Sequence, residues 1–572
     1  MTRSTEFQAW GWRSVALLLF FTGIAAALGG RAVYLQILDN KFLLDQGSQR
    51  DLRVIQMPAH RGMILDRNGQ PLAVSTPVES VWVNPEGLAP AAARVPELAR
   101  SLGFAAGDIR KLLRDNQDKE FVYLARGLDP YAAERVMSLG IPGVYTQREY
   151  RRYYPAGEVT AQVLGFTSVD DAGEEGLELG YNDWLKGVPG AERVIVDRYG
   201  RSVQDVENLH APRPGKDLVT SIDLRLQYLA YRALKQAVLA QHARSGSIVV
   251  MDARTGEVLA MANQPSFNPN NREAYSTDDY RNRAVTDMFE PGSSMKPFTM
   301  VAALLSGKYR PSSVIDTSPG TLHLAGYTIH DEQNFGRIDL TTIIEKSSNV
   351  GASKIALSLE PQLMWQTLDA FGFGRSTGSG FPGETSGSLP AYRGWNPARQ
   401  ATISYGYGVA ISALQLADAY ATLADGGMRH APSFMNLQAA PTAQAVVSPA
   451  VTAQLRNMLQ MVVSGEGTGK LAEIAGYHVA GKTGTAHIAE NGGYSPNDYI
   501  SVFAGMAPAT DPRLVTVVVI NRPNHGEYLA ARVSAPVFAE VMRGALRLLD
   551  ITPDDLNELV RTAYIMAPGH SS

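Results

Sequence analysis

From residue 14 to residue 30 the chain carries no charged side chain (SVALLLFFTGIAAALGG), and Arg13 and Arg31 stand on its two sides. An uncharged run of 17 residues is at the short limit for a spanning helix, which Arg31 can extend by snorkelling. It exceeds the ~7–15 apolar residues of a usual signal peptide. The pattern predicts a single-pass anchor over 14–35 after a short cytoplasmic tail, 1–13. Trp10 and Trp12 fall where an interfacial aromatic belt is expected, and Arg3 and Arg13 orient the N-terminus to the cytoplasm. A signal peptide cut near residues 25–27 is the competing reading.

Beyond the anchor the pattern changes twice. Residues 43–212 are mixed and turn-rich. Asp66-Arg67-Asn68-Gly69 predicts a tight hairpin turn, and 90–102 and 130–139 predict short amphipathic helices. This stretch reads as an elongated α+β module that ends in the polar, proline-containing connector 207–216. From 217 to 549 a short strand at 218–222 and a helix at 224–240 precede an antiparallel hairpin, 247–252 with 257–263. Further strands are predicted at 499–505 and 515–521, the latter almost wholly apolar and so central. Helical stretches fall at 298–306, 341–358, 411–425, 448–464 and 533–549. Strands at both ends with helices between predict an antiparallel sheet covered by helices, plus a helical subdomain. Residues 550–572 read as a tail.

Composition narrows the function classes. Among 572 residues, 52 Lys+Arg against 56 Asp+Glu give a net charge of −4, which argues against a nucleic-acid binder with a generally basic surface. With no Cys there is no disulfide, thiol nucleophile or thiolate metal site. The ten His are scattered without an H-E-x-x-H pattern, so neither a metal nor another cofactor is expected.

Three short motifs carry candidate chemistry. Ser293-Ser294-Met295-Lys296 follows Glu290-Pro291-Gly292 and opens an apolar helical run. Pro297 is tolerated only in a first helical turn, so the helix begins close to Ser293. The i, i+3 spacing puts Lys296 one turn from Ser293 on the same face. A serine hydroxyl needs an adjacent base, and a lysine serves when burial or a second cation lowers its pKa. Backbone N–H groups at the helix start suit a developing oxyanion. Ser347-Ser348-Asn349 lies at or near the start of a helical stretch and also reads as a plain helix cap. Lys482-Thr483-Gly484-Thr485 runs into an apparent strand. A strand bearing Lys and Thr beside a serine site can hold a carboxylate, and Gly484 allows close backbone approach.

Each motif is weak alone; together and in this order they resemble the trio of penicillin-binding proteins and class A β-lactamases. The chain is similar to class B penicillin-binding proteins, and closely to their FtsI-like, division-type group. Further boxes carry the resemblance: Arg61-Gly62-Met63-Ile64-Leu65-Asp66, Phe121-Val122-Tyr123-Leu124-Ala125-Arg126, Arg152-Tyr153-Tyr154-Pro155-Ala156-Gly157, and Gly173-Glu174-Glu175-Gly176-Leu177-Glu178. Tyr405-Gly406-Tyr407-Gly408 resembles the division type rather than the elongation type. Ala530-Ala531 departs from the Gly-Gly pair common in relatives.

The resemblance implies a D,D-transpeptidase domain at 217–549 and a non-catalytic pedestal at 43–212. It implies that Ser293 forms an acyl-enzyme with a peptidoglycan stem peptide and that Lys296 accepts its proton. Ser347, helped by Lys482, would relay a proton to the leaving amine. Asn349 would hold the substrate amide and orient Lys296. Thr483 and Thr485 would bind the terminal carboxylate, and the Ser293 and Thr485 amides would form the oxyanion hole. It further implies β-lactams as inhibitors, a SEDS/FtsW-type membrane glycosyltransferase and other divisome proteins as partners, and a bacterial inner-membrane protein with a periplasmic catalytic domain.

Other readings compete. An elongation-type or specialised paralogue keeps the chemistry; a β-lactam hydrolase leaves residues 43–212 without a use; a silent β-lactam-binding scaffold or sensor has no need of an intact Ser293 and Lys296. The G-x-S-x-G string at 374–378, the G-x-G-x-x-G string at 378–383 and the P-loop-like 465–470 sit in the wrong local context and read as turns. Asp287 and Glu290 read as loop polarity rather than a carboxylate pair.

Overall fold

The computed structural model describes residues 11–35, 52–196, 202–324, 326–439, 441–490 and 493–555. Arg3, Trp10 and most of the two expected tails therefore lie outside the described residues.

The first helix, α1 (Trp12–Val33), contains the uncharged run. Its 22 residues rise about 33 Å at ~1.5 Å each, enough for a hydrocarbon core of ~30 Å. Leu17, Leu18, Leu19, Phe20, Phe21 and Leu28 are all exposed. An apolar surface on every side, with none of the described residues packed against it, is what a lipid-facing helix requires. It fits a single-pass membrane anchor.

The described residues fall into two compact units. The smaller takes Met1–His60, Pro77–Tyr150 and Val188–Pro214; the larger takes Arg61–Thr76, Arg151–Gly187 and Gly215–Ser572. The units therefore do not follow 43–212 and 217–549 as continuous stretches. In the smaller unit, Glu79–Val83 pairs antiparallel with the strand Val122–Leu128, and the helices Val95–Leu102 and Pro130–Met137 bury Leu98, Ala99 and Val136 in its core.

Three of the sequence boxes meet in the larger unit. Glu178 lies between Arg61 and Arg152, with Nε···O distances of 2.8 and 2.6 Å, and all three side chains are buried. Arg61 also donates to Asn182 Oδ1, and Arg152 to the Gly62 carbonyl. Buried charges persist only when paired and hydrogen-bonded like this. The Asp66–Gly69 turn is a hairpin turn as expected, with Ile64 and Leu65 pairing across it to Ala73 and Pro71.

The rest of the larger unit is built on one antiparallel sheet. Its strands are β1 (Ser245–Asp252), β2 (Val258–Gln264), β3 (Ala480–Glu490), β4 (Gly493–Ala507) and β5 (Leu514–Asn521), in the order β2-β1-β5-β4-β3. The near-continuous apolar run Leu514–Ile520 is buried on both faces at the sheet centre, as its sequence predicts. Alternate residues serve two cores. Ile248, Val250, Val518 and Ile520 pack with α2 (Leu224–Ala240) and α8 (Ala535–Leu548). Val249, Met251, Val517 and Val519 face α3 (Lys296–Leu305), α6 (Ala413–Ala424) and α7 (Pro449–Val463).

Three expected elements differ. The 341–358 stretch is two helices, α4 (Leu340–Glu345) and α5 (Asn349–Ser358). Ser347 between them is left-handed at φ 59°, and Ser348 caps α5 by accepting the Gly351 N–H at 2.8 Å. Serine and asparagine side chains compete with helix backbone bonds, which is why the break falls there. The 533–549 stretch divides at Ser534, after a short helix Ala530–Val533, with Pro536 in the first turn of α8 where its missing N–H costs nothing. The 218–222 strand is only Leu218–Val219.

Candidate active site

Helix α3 is buried from Lys296 through Ala303, so it runs through the core rather than over it. A single 3₁₀ turn, Gly292–Met295, leads into it and carries Ser293. Tyr420 on α6 donates to the Ser294 carbonyl at 3.0 Å, Ser294 Oγ donates to the Pro291 carbonyl at 2.7 Å, and Thr299 Oγ1 donates to the Ser404 carbonyl at 2.8 Å. Buried bonds at Ser294 thus hold the turn and one at Thr299 holds the helix after it, while Ser293 itself stays half-buried.

Edge strand β3 lies directly on this turn. A Cβ on Gly484 would sit 2.5 Å from the Pro291 oxygen and 3.2 Å from the Ser294 nitrogen, and one on Gly292 (φ +55°) would sit 3.0 Å from the Thr485 oxygen. Two glycines thus permit a backbone-to-backbone approach that any other residue would block. Thr485 Oγ1 accepts the Ala530 N–H at 3.0 Å, which leaves its own proton free to donate outward. Thr483 Oγ1 lies 3.0 Å from Thr468 Oγ1.

The α4–α5 break supplies the third side. Lys296 Nζ donates to the Ser347 carbonyl, to Ser347 Oγ at 3.1 Å and to Asn349 Oδ1 at 2.8 Å. Lys482 Nζ donates to the same Ser347 Oγ at 3.0 Å and to the Thr483 carbonyl at 3.2 Å. Both amines are fully buried. Burial lowers the Lys296 pKa well below the usual lysine range, and the neighbouring Lys482 charge lowers it further, against an upward pull from Asp331. Burial brings Lys482 down to about 7. Two buried lysines with lowered pKa values beside a hydroxyl are equipped for proton transfer.

All eight expected site residues therefore lie around one turn. One juxtaposition differs from the simple expectation. The three Lys296 N–H groups point to Ser347 and Asn349, and among the described residues nothing hydrogen-bonds Ser293 Oγ. A protonated ammonium fills its three donors with the three acceptors around it; only the neutral amine has a lone pair to offer Ser293.

Residues 246–543 match the penicillin-binding protein transpeptidase domain and residues 56–220 the penicillin-binding protein dimerisation domain. The chain belongs to the penicillin-binding proteins. It is 43% identical to the probable peptidoglycan D,D-transpeptidase PbpC of Pseudomonas aeruginosa, over 96% of this chain and 98% of that one. It is 40% identical to the peptidoglycan D,D-transpeptidase FtsI of Escherichia coli, over 98% and 96%. Among solved structures it resembles penicillin-binding protein 3 of Mycobacterium tuberculosis complexed with aztreonam, at 27% identity and a TM-score of 0.68 over 88% of this chain and 98% of that one.

Several residues of this penicillin-binding protein's site carry no motif signal. Asp331 accepts from Ser348, Asn349 and Val350. Beside Asn349 and Thr485 opens a cavity of about 350 Å³ walled by Tyr327, Tyr407, Tyr499 and Tyr528, the last two stacked with ring centroids 4.0 Å apart. These tyrosines come from four separate stretches of chain, and apart from Tyr407 in the Tyr405–Gly408 segment no local pattern announces them. Glu290 and Asp287 do not form a pair. Glu290 accepts from Gly408 N and Tyr494 Oη, with burial raising its pKa, while Asp287 is bound by Arg281 and Arg283. The glycines of the 374–383 strings are left-handed turn residues with no strand before them, as expected.

Proposed function

We propose that this penicillin-binding protein is a serine D,D-transpeptidase that cross-links peptidoglycan stem peptides. The convergence of two fully buried lysines on Ser347 Oγ, beside the open Ser293, carries the reading. Neutral Lys296 takes the Ser293 proton as Oγ attacks the carbonyl between two terminal D-alanines. The Ser293 and Thr485 amides receive the oxyanion, and Thr483 and Thr485 hold the terminal carboxylate. Asn349 orients Lys296 through its 2.8 Å bond and holds the substrate amide. Lys482 supplies a proton through Ser347 to the departing D-alanine nitrogen as the C–N bond breaks. The amine of a second stem peptide then attacks the acyl-enzyme, and Ser293 regains its proton. A β-lactam opens on the same hydroxyl and stays attached.

The α1 anchor supports a single-pass inner-membrane placement with the catalytic unit in the periplasm. The dimerisation-domain match over 56–220 supports 43–212 as the pedestal and the transpeptidase match over 246–543 supports 217–549 as the catalytic domain, with Arg61–Thr76 and Arg151–Gly187 of the former belonging to the larger compact unit. The Tyr405-Gly406-Tyr407-Gly408 segment and the likeness to FtsI support action in septal wall synthesis, with a SEDS/FtsW-type glycosyltransferase of the divisome supplying glycan; the likeness to PbpC supports a specialised variant of that role. Labelling with a fluorescent penicillin and mass mapping of the modified peptide tests the chemistry. An adduct on Ser293 and release of D-alanine from a pentapeptide are expected; a label elsewhere, or none, overturns the reading.

A further inference from the structure

We infer that Asp331 is a positioning residue for this transpeptidase site: it clamps the Ser347–Asn349 break and sets the charge around Lys296. The inference rests on the proposed function and adds a residue to it.

Asp331 follows the strand Tyr327–His330 directly. Its Oδ1 accepts the N–H groups of Asn349 and Val350, at 2.5 and 2.9 Å, and its Oδ2 accepts the Ser348 hydroxyl at 2.6 Å. Those two amides are the first of α5 and have no partner within the helix. A carboxylate at a helix N-terminus satisfies them and opposes the helix dipole. Ser348 already caps α5 from within, so Asp331 is a second cap supplied by another part of the chain. The neighbouring His330 carbonyl accepts Asn349 Nδ2 at 3.1 Å, which turns Asn349 Oδ1 toward Lys296. Fixing 348–350 in this way holds Ser347 left-handed, a conformation that L-residues with a Cβ adopt only when their surroundings enforce it. That conformation aims both the carbonyl and the hydroxyl of Ser347 at Lys296.

The charged groups acting on Lys296 are Lys482 from β3, which lowers its pKa together with burial, and Asp331, which raises it. Lys346, next to Ser347, is turned to Glu345 and Glu466 instead. Acylation needs neutral Lys296, so the rate rises with pH through the Lys296 pKa. Neutralising Asp331 makes Lys296 easier to deprotonate and moves that rise to lower pH. A residue that served only the fold would change the plateau or the melting temperature and leave the pH of the rise alone.

The test measures the acylation rate of the full-length, detergent-solubilised protein by a fluorescent penicillin between pH 5 and pH 9. Asp331→Asn, which preserves the shape and the oxygen that accepts the two amides but exchanges the Ser348 acceptor for a donor, is expected to shift the acid limb to lower pH. Asp331→Ala is expected to lower the plateau by roughly 10- to 100-fold, the scale of a misplaced catalytic group. An Asp331→Asn limb coincident with the wild type overturns the inference, whether or not the alanine variant folds; so does a folded Asp331→Ala protein with the wild-type plateau. A wild-type protein that takes no label fails the proposed function instead, and the two failures are distinct.

Discussion

Lys296 and Lys482 donate to a single oxygen, Ser347 Oγ, at 3.1 and 3.0 Å. Both are buried, and the charge of Lys482 is one of the causes that depress Lys296. The two amines share one acceptor, so the charge on Lys482 bears on the protonation of Lys296.

That coupling has a sign. Lys482→Ala removes a positive neighbour, so the Lys296 pKa rises and the acid limb of acylation moves to higher pH. Lys482→Arg retains the charge and is expected to leave the limb closer to the wild type. Rates of penicillin acylation against pH check this; a limb that moves to lower pH in the alanine variant contradicts it.

Ser293→Ala is expected to abolish covalent penicillin labelling, because Ser293 alone supplies the attacking oxygen. Lys296→Ala is expected to slow acylation by roughly 10²–10⁴-fold, the usual contribution of a positioned base. Stopped-flow or gel-based labelling checks both, and a Lys296→Ala protein acylated at full rate removes lysine from the role of base.

Gly484→Ala places a methyl 2.5 Å from the Pro291 oxygen. Strand β3 must then withdraw from the nucleophile turn, and a displacement of even ~1 Å can cost on the order of 10²-fold in rate. The sheet register of β3 against β4 does not depend on that contact, so the melting temperature is expected to move little. A full acylation rate in Gly484→Ala would show that the close approach has no catalytic use.

Glu178→Ala leaves Arg61 and Arg152 buried without their shared carboxylate. Breaking one side of a buried ion pair costs about 3–5 kcal/mol, so thermal and denaturant unfolding are expected to show a strong loss of stability. An unchanged unfolding midpoint would mean that these charges contribute nothing to the fold.

Deleting residues 1–35 removes α1 and is expected to move the protein from the membrane pellet to the supernatant after cell fractionation. Retention in the pellet would place the membrane contact elsewhere in the chain.

Much of this was written in the sequence because its signals are local. Seventeen uncharged residues between Arg13 and Arg31 specify the anchor by length and polarity alone. The apolar run 514–520 specifies a central strand, and Ser293, Lys296, Ser347, Asn349 and Lys482 stand out because three short motifs, each weak alone, together and in order resemble the penicillin-binding trio. The 341–358 stretch reads as one helical run, although Ser347-Ser348-Asn349 also reads as a helix cap; the cap is present, and what the local pattern does not show is Asp331, 16 or more residues away in sequence, which satisfies the amides that the break exposes. The tyrosine-walled cavity was missed for the same reason, since rings from distant segments meet only when the sheet and helices pack. Local pattern determined which elements form and which side chains carry chemistry. Only tertiary packing decided which groups Lys296 and Lys482 face, because burial and Coulombic neighbours, the causes of their altered pKa values, depend on distance in space rather than on separation along the chain.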